Sequence, residues 1–168
     1  MDELRSGLGG NTPRGGPLPE GWLTLHELAE LLRRAGRAAG FVVESEYKVC
    51  PSSEGKGKID WVWLSAISLK PVVAIEIEGR DVSPKSLAAD VGKFRECAAV
   101  LSVVALFQID HNRTPKRVPP RGLSPRAWVQ QFVGAFPVET ILDEELMAVG
   151  GIERLQARAL ELDQPARN

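Results

Sequence analysis

The sequence is poor in the residues that mark several specialised classes of protein. It has only two cysteines, Cys50 and Cys97, and two histidines among 168 residues. That set supports neither a disulfide scaffold nor a zinc site, so both thiols are predicted to be free and buried. No apolar run approaches the roughly 18 residues of a transmembrane helix, and the N-terminus lacks the profile of a signal peptide. We therefore expect a cytoplasmic protein that makes no use of a membrane.

An excess of charge of one sign is also lacking. The 21 basic and 22 acidic residues leave a formal net charge of −1, so any nucleic-acid surface has to be a local patch. With 43% apolar residues, the chain has the composition of one ordinary globular domain. Residues 1–21 contain six glycines and three prolines among few large apolar groups, a composition that does not favour order. We expect a flexible tail over 1–21 and a single domain over 22–168 with a C-terminal helical extension.

Hydrophobic periodicity predicts an α/β domain. A capping box that starts at Thr24 begins an amphipathic helix ending at Gly40, and Ser83 followed by Pro84 begins a second helix. Alternating or continuous apolar runs predict four strands, at 41–49, 58–64, 72–78 and 100–109. The expected order is αβββαβ, with a mixed four-stranded sheet flanked by helices. Two C-terminal helical stretches are predicted to follow, near 126–135 and over 143–162.

Acidic residues share one face of the second and third strands. Pairing Leu64 with Val72 in an antiparallel hairpin places Asp60 opposite Glu76, and Glu78 follows one pleat further along. Two carboxylates about 5 Å apart repel each other by about 3 kcal/mol at an effective dielectric of 20, so a positive group is expected there. A hard divalent cation such as Mg²⁺ or Mn²⁺ fits, because such ions prefer oxygen ligands.

Simpler explanations of this acidic pair stay open. Asp60 and Glu76 could be solvated residues at a sheet edge that pair with Lys58 or Lys93, and the register could be shifted by one residue. Four further acids could complete a metal shell, although surface positions are expected for them: Glu27, Glu30, Glu44 and Glu46.

The pattern over about residues 24–110 resembles the PD-(D/E)XK nuclease superfamily. An Ile-Asp pair ending in Asp60 opens the second strand, and Glu76-Ile77-Glu78 closes the third. The resemblance implies a restriction-endonuclease-like fold, with metal held by Asp60 at the motif aspartate and by Glu76 at the (D/E) position. Glu78 stands where the common pattern has lysine, a departure that some restriction enzymes and very-short-patch-repair-like members share.

The resemblance also implies a catalytic set made of Asp60, Glu76, Glu78 and a lysine. Lys93 lies in the predicted crossover helix at a position that looks like the one superfamily members recruit, and Asp90 three residues earlier could orient it. Lys58 is a second candidate, two residues before Asp60.

A basic segment follows the fourth strand. Residues 111–138 contain five basic and no acidic side chains, and four prolines fall between 115 and 125. Arginine and lysine supply most contacts to nucleic-acid phosphates, so this segment is either a backbone clamp or a solvated loop. The candidate nucleic-acid-binding residues are Arg113, Lys116, Arg117 and Arg121.

Metal-dependent hydrolysis of phosphodiester bonds, in DNA rather than RNA, is the activity that the resemblance implies. An alternative function is a catalytically inactive nuclease-like domain that binds nucleic acid or another protein, and Glu78 is the sequence argument for it. A third reading is an unrelated α/β domain whose acidic strand ends are merely solvated. No separate specificity domain is visible, so a homodimer or a larger complex is expected to supply targeting.

Overall fold

The computed structural model describes residues 23–49, 57–107 and 123–164. Within these ranges the chain forms five helices and five strands. In chain order they are α1 (Leu25–Ala38), β1 (Val42–Lys48), β2 (Lys58–Leu64), β3 (Pro71–Gly79), α2 (Pro84–Cys97), β4 (Leu101–Phe107), α3 (Pro125–Val133), β5 (Glu139–Leu142), α4 (Asp143–Met147) and α5 (Gly151–Asp163).

The described strands form one mixed sheet in the order β1-β2-β3-β4-β5. The pairs β1/β2 and β2/β3 are antiparallel, whereas β3/β4 and β4/β5 are parallel. The predicted α/β class and mixed sheet are confirmed, but the count of four strands is wrong. The fifth strand, β5, has only four residues, which is too short for alternation to reveal it in the sequence.

Helices cover both faces of the sheet. Leu28 and Leu32 of α1 pack with Leu155 of α5 against one face. Leu87 and Phe94 of α2 pack against the other face, which they share with Trp128 and Val129 of α3. Burying apolar side chains on both faces explains why β3 and β4 read as continuous apolar runs rather than alternating ones.

Helix α2 begins where the sequence predicts. The Ser83 hydroxyl accepts the backbone N–H of Ser86 at 3.1 Å, and Pro84 occupies the first turn, where its missing N–H costs no hydrogen bond. Leu87, Val91 and Phe94 form the buried stripe that seats the helix on the sheet. This seating turns Asp90 and Lys93 toward β3.

The β2/β3 register agrees with the prediction at Val62, which lies opposite Ala74. An irregularity between Trp63 and Leu64 then places Leu64 opposite Pro71, so the predicted pairing of Leu64 with Val72 is wrong. The shift lies beside the turn that joins the two strands, away from the acidic end of the hairpin.

Strand β1 does not keep the alternation that its sequence predicts. Strict alternation over this strand would put Val43 and Tyr47 on one face, but Val43 packs on the α1 side and Tyr47 on the α2 side. Glu46 between them has φ of 52°, a left-handed conformation that rotates the strand and interrupts its pleat.

The C-terminal helical stretch predicted over 143–162 is two helices, α4 and α5. Gly150 separates them with φ of 76°, in the left-handed region that glycine adopts without strain. Gly151 follows at a close approach, since a Cβ built there would lie 2.0 Å from the carbonyl oxygen of Glu145. The chain therefore turns at the glycine pair instead of continuing one helix.

Two other predictions can be placed. Cys97 is free and buried, as expected, whereas Cys50 and the proposed tail over 1–21 lie outside the described residues. None of the described helices combines the length and the apolar character that crossing a membrane requires.

Candidate active site

The four predicted catalytic residues come together on the α2 side of the sheet. Asp60 lies near the start of β2, Glu76 and Glu78 lie at the carboxyl end of β3, and Lys93 reaches them from α2. The antiparallel β2/β3 pair brings the start of one strand beside the end of the next, which is why residues so far apart in sequence meet here.

Asp60 is fixed to the backbone of β3. Its Oδ2 accepts a hydrogen bond of 2.8 Å from the N–H of Ile77. The Ile77 N–H thus donates to a side-chain oxygen of the neighbouring strand instead of to a backbone carbonyl. The carboxylate is thereby held beside Glu76 and Glu78, the two residues that flank Ile77.

Glu76 is in contact with Lys93 in a nearly dry environment. The residue is 3% exposed, and the Lys93 Nζ lies 2.5 Å from its Oε1. Lys93 Nζ also lies 2.8 Å from Asp90 Oδ1, one helical turn earlier on α2. The ammonium thus bridges a carboxyl of the sheet and a carboxyl of the helix.

Two buried carboxyl groups of this cluster share few donors. Glu76 Oε1 has the Lys93 ammonium as its partner, and Asp90 is in contact with Lys93 and with Glu78. Asp90, like Glu76, is 3% exposed. Few donors serve these buried carboxyl oxygens, so the cluster is suited to a further cation or to water.

Burial and mutual repulsion shift the proton affinity of Glu76. Burial is the main cause that raises the pKa of Glu76. The charges of Asp60 and Asp90 raise this pKa further, while Lys93 lowers it. The net result is a pKa of about 9. One ammonium does not offset burial and two neighbouring carboxyl groups, and Glu76 is predominantly protonated at neutral pH unless another cation enters.

Glu78 and Asp90 form a second carboxyl contact. Burial is the main cause that raises the pKa of Glu78 to about 7, and the charge of Asp90 and a hydrogen bond with it add to the shift. Burial also raises the pKa of Asp90, although Lys93 and the hydrogen bond with Glu78 oppose it. Two carboxyl groups in contact favour sharing one proton, which here lies between Glu78 and Asp90.

Lys93 keeps its charge in this surrounding. Burial alone would lower its pKa, but the contacts with Asp90 and Glu76 outweigh burial and raise it. Lys58, the second lysine candidate, points elsewhere and pairs with Glu46 at 2.8 Å near the surface. Lys93 therefore lies in the carboxyl cluster, whereas Lys58 lies outside it.

The other acids considered from sequence lie apart from this cluster. Glu27 belongs to the capping box of α1, Glu30 pairs with Arg33 and Arg34, Glu46 pairs with Lys58, and Glu44 is exposed on β1. Their expected surface positions explain why none of them extends the site. The four predicted nucleic-acid-binding residues, Arg113, Lys116, Arg117 and Arg121, lie outside the described residues.

Sequence reasoning missed an ion-pair group next to the site. Arg80, two residues after Glu78, pairs with Asp143 at 2.8 Å and with Glu144 at 2.6 Å, and so ties α4 to the end of β3. The acidic run that opens α4 was the only signal for it, because the partners are more than 60 residues apart.

Asp90, expected only to orient Lys93, is in addition a direct member of the carboxyl cluster.

The donor set suits a hard divalent cation. All available ligands are carboxylate oxygens, and Glu76 Oε1 lies against the Lys93 ammonium. In the described part of the chain, however, no three or more His, Cys, Asp or Glu side chains are arranged to hold a metal ion. Because the Lys93 ammonium contacts Glu76, a metal ion bound by Glu76 would have to displace Lys93 from that carboxyl group.

Comparison with known proteins adds no relative. No family model, no curated protein and no solved structure matches this chain. Its function therefore has to be inferred from the geometry of its own residues.

Proposed function

We propose that the protein is a metal-dependent nuclease of the restriction-endonuclease-like type, acting on DNA. The supporting observation is the single cluster in which Lys93 of α2 contacts Glu76 of β3 while Asp60 is bound to the backbone beside Glu76. A helix, three antiparallel strands, a crossover helix and a parallel strand surround it, which is the arrangement that the PD-(D/E)XK resemblance implies.

Asp60 and Glu76 are the proposed holders of Mg²⁺ or Mn²⁺. Such an ion supplies Lewis acidity toward the scissile phosphate and lowers the pKa of a bound water. Asp60 arrives pre-oriented, because the Ile77 N–H fixes one of its oxygens. Glu76 contributes a buried carboxylate whose proton is released when a cation binds.

Lys93 is the proposed group that contacts the reacting phosphate or the attacking water. Released from Glu76, its ammonium stays charged and anchored through Asp90 at 2.8 Å. A cation held at a fixed position in a dry site stabilises the negative charge that builds up as the phosphodiester is attacked. Asp90 is then a positioning residue for Lys93.

Glu78 is the proposed proton acceptor. A general base works best when its pKa lies near the working pH, and the pKa of Glu78 is raised to about 7. Glu78 is half-buried and hydrogen-bonded with Asp90, so a proton taken from water can be shared between the two carboxyl groups. This role gives Glu78 a function at the position where the common pattern has lysine.

One observation favours a second candidate, a nuclease-like module that binds nucleic acid without cutting it. The 2.5 Å contact between Lys93 and Glu76 gives Glu76 a partner without any metal. If that ion pair persists in the presence of divalent cations, the cluster is a structural element of the fold.

The test is cleavage of labelled DNA and RNA, each single- and double-stranded, with Mg²⁺, with Mn²⁺ and with a chelator. The nuclease proposal expects divalent-dependent cleavage that Asp60→Ala abolishes and that the matched surface variant Glu44→Ala leaves unchanged. Binding of one of these nucleic acids without any divalent-dependent cleavage would replace the nuclease by the binding module. Absence of both binding and cleavage would overturn both candidates.

A further inference from the structure

A cleft of about 360 Å³ lies at the β5 edge of the sheet, apart from the carboxyl cluster. The strand β5, the helices α4 and α5 and the first turn of α3 form its walls. Three arginines line it, Arg126, Arg154 and Arg158, together with the acids Glu139 and Glu145. A cleft of this size is large enough to take a nucleotide-sized group.

Arg126 is held in place by the edge of the sheet. Its guanidinium donates to the Thr140 carbonyl at 3.0 Å and to both oxygens of Glu145 at 2.7 and 2.8 Å. Glu145 in turn accepts the backbone N–H of Leu142 at 2.8 Å. Burial alone would raise the pKa of Glu145, but these bonds and the charges of Arg126 and Arg154 lower it, so it stays ionised and committed to Arg126.

This arrangement argues against a peptide strand as the occupant. A strand that adds to β5 needs the free backbone groups of the edge, and the Thr140 carbonyl and the Leu142 N–H are already bonded to side chains. A small anionic group needs none of them, because it takes donors from the guanidinium groups instead.

Arg154 and Arg158 provide the hydrogen-bond donors of the cleft that are available to a ligand. They lie four residues apart on α5, so they follow one another along the same face of the helix. The Arg154 guanidinium makes no hydrogen bond or ion pair with another described residue, and Arg158 has only a 4.0 Å contact with Glu161. Both side chains are exposed and can turn toward a ligand in the cleft.

We propose that this cleft binds backbone phosphates of the nucleic-acid substrate through Arg154 and Arg158, with Arg126 as a fixed third guanidinium. The proposal rests on the proposed nuclease function and adds a second contact region to it. Strand β5 is the edge strand of the sheet, two strands away from β3, and α5 packs on the face opposite α2. A nucleic-acid backbone that contacts both the carboxyl cluster and Arg154 and Arg158 therefore passes around the β5 edge. The protein has a net charge of −1, so such local guanidinium pairs are what can hold phosphate.

The experiment measures binding of a short fluorescein-labelled DNA duplex by anisotropy, in a chelator that prevents cleavage. Wild type is compared with Arg154→Gln/Arg158→Gln and with a matched control, Arg34→Gln/Arg37→Gln, which removes two exposed arginines from α1. Titrations between about 50 and 200 mM salt give the slope of log K against log salt. The cleft variant is expected to bind more weakly and to reduce that slope by about 2, while the control changes neither.

Free phosphate compounds and the backbone share the same chemistry, so a second arm titrates a nucleoside monophosphate by calorimetry. Backbone recognition expects weak, non-saturating binding of the mononucleotide. Tight mononucleotide binding that Arg154→Gln/Arg158→Gln abolishes, with DNA affinity unchanged, would assign the cleft to a small phosphorylated ligand and overturn the proposal. Circular dichroism and urea unfolding that match wild type show that the variant is folded.

The result also separates this inference from the nuclease proposal. If wild type cleaves DNA and the cleft variant keeps the wild-type salt slope, the proposed phosphate binding in the cleft is wrong and the nuclease proposal stands. Wild type that neither binds nor cleaves DNA overturns both.

Discussion

The backbone N–H of Ile77 donates a 2.8 Å hydrogen bond to the Asp60 carboxylate, so the position of the candidate metal ligand on β2 depends on the strand that carries Glu76 and Glu78. The antiparallel pairing of the two strands, with this side-chain bond at its end, brings three carboxyl groups together. Helix α2 then adds Asp90 and the single ammonium of Lys93.

This bond predicts a difference between two substitutions at Asp60. Asp60→Asn keeps an acceptor for the Ile77 N–H, whereas Asp60→Ala leaves that donor unpaired. Both remove the same negative charge, so their difference isolates the hydrogen bond. We expect Asp60→Ala to be less stable than Asp60→Asn by about 1 to 3 kcal/mol in urea unfolding. Equal stabilities would mean that the bond does not hold the two strands together.

Lys93 is expected to matter to stability more than Lys58. Lys93→Met leaves the buried Asp90 carboxyl without its counter-charge and Glu76 without its contact with the ammonium, a change that costs about 3 kcal/mol in comparable buried pairs. Lys58→Met breaks only the surface pair with Glu46 and is expected to cost less than about 1 kcal/mol. Urea unfolding at pH 8 compares the two, and a Lys93→Met cost as small as that of Lys58→Met would show that the buried pair does not form.

Much of this site could be predicted because its signals are local. The start of α2 follows from Ser83 and Pro84, the range of β2 from its apolar and acidic alternation, and the approach of Lys93 from its place on the buried side of α2. What the sequence did not reveal depends on long-range packing or on single backbone angles. The pairing of Arg80 with α4 spans 63 residues, and the turn of β1 rests on one left-handed residue, Glu46.

The short strand β5 shows the same limit. Its four residues carry no periodic signal, and they become a strand because β4 offers an unpaired parallel edge. The break between α4 and α5 was marked by Gly150 and Gly151, but only the approach of Gly151 to the Glu145 carbonyl shows why the chain must turn there.

Gly36 is expected to tolerate no larger side chain. A Cβ at this position would lie 2.6 Å from the ring of Trp63 and 2.7 Å from Val43, both packed under α1. Gly36→Ala is therefore expected to lower the free energy of unfolding by about 1 to 3 kcal/mol. Gly92→Ala is the matched control, because nothing lies within 4 Å of its Cβ and alanine favours a helix interior by about 1 kcal/mol. Thermal unfolding that ranks Gly36→Ala above wild type would contradict the packing of α1 on β2.

Stability is expected to fall as pH rises in metal-free buffer. Glu76 and Glu78 have an ordinary pKa of 4.5, and the fold raises these values to about 9 and about 7. A carboxyl whose pKa is raised on folding contributes its full stability below the unfolded value and loses it as pH rises through the folded value. The free energy of unfolding should therefore decline between pH 4.5 and pH 9.

Two variants show which carboxyl group causes the decline in stability. Glu78→Gln should flatten the part between pH 4.5 and pH 7, because the glutamine cannot ionise. The exposed Glu96→Gln on α2 should leave the profile as in wild type. A wild-type profile that rises over this interval would mean that the carboxyl cluster is solvated and ionised.

Calorimetric titration with Mn²⁺ at pH 8 tests most directly whether the carboxyl cluster is a metal site. The account predicts saturable binding to wild type, accompanied by proton release as Glu76 gives up its proton, with the same binding in the surface variant Glu46→Gln. Glu76→Gln should lose this binding while remaining folded. Wild type without saturable Mn²⁺ binding, or Glu76→Gln that binds Mn²⁺ as wild type does, would contradict the assignment of this cluster as the centre of a metal-dependent nuclease.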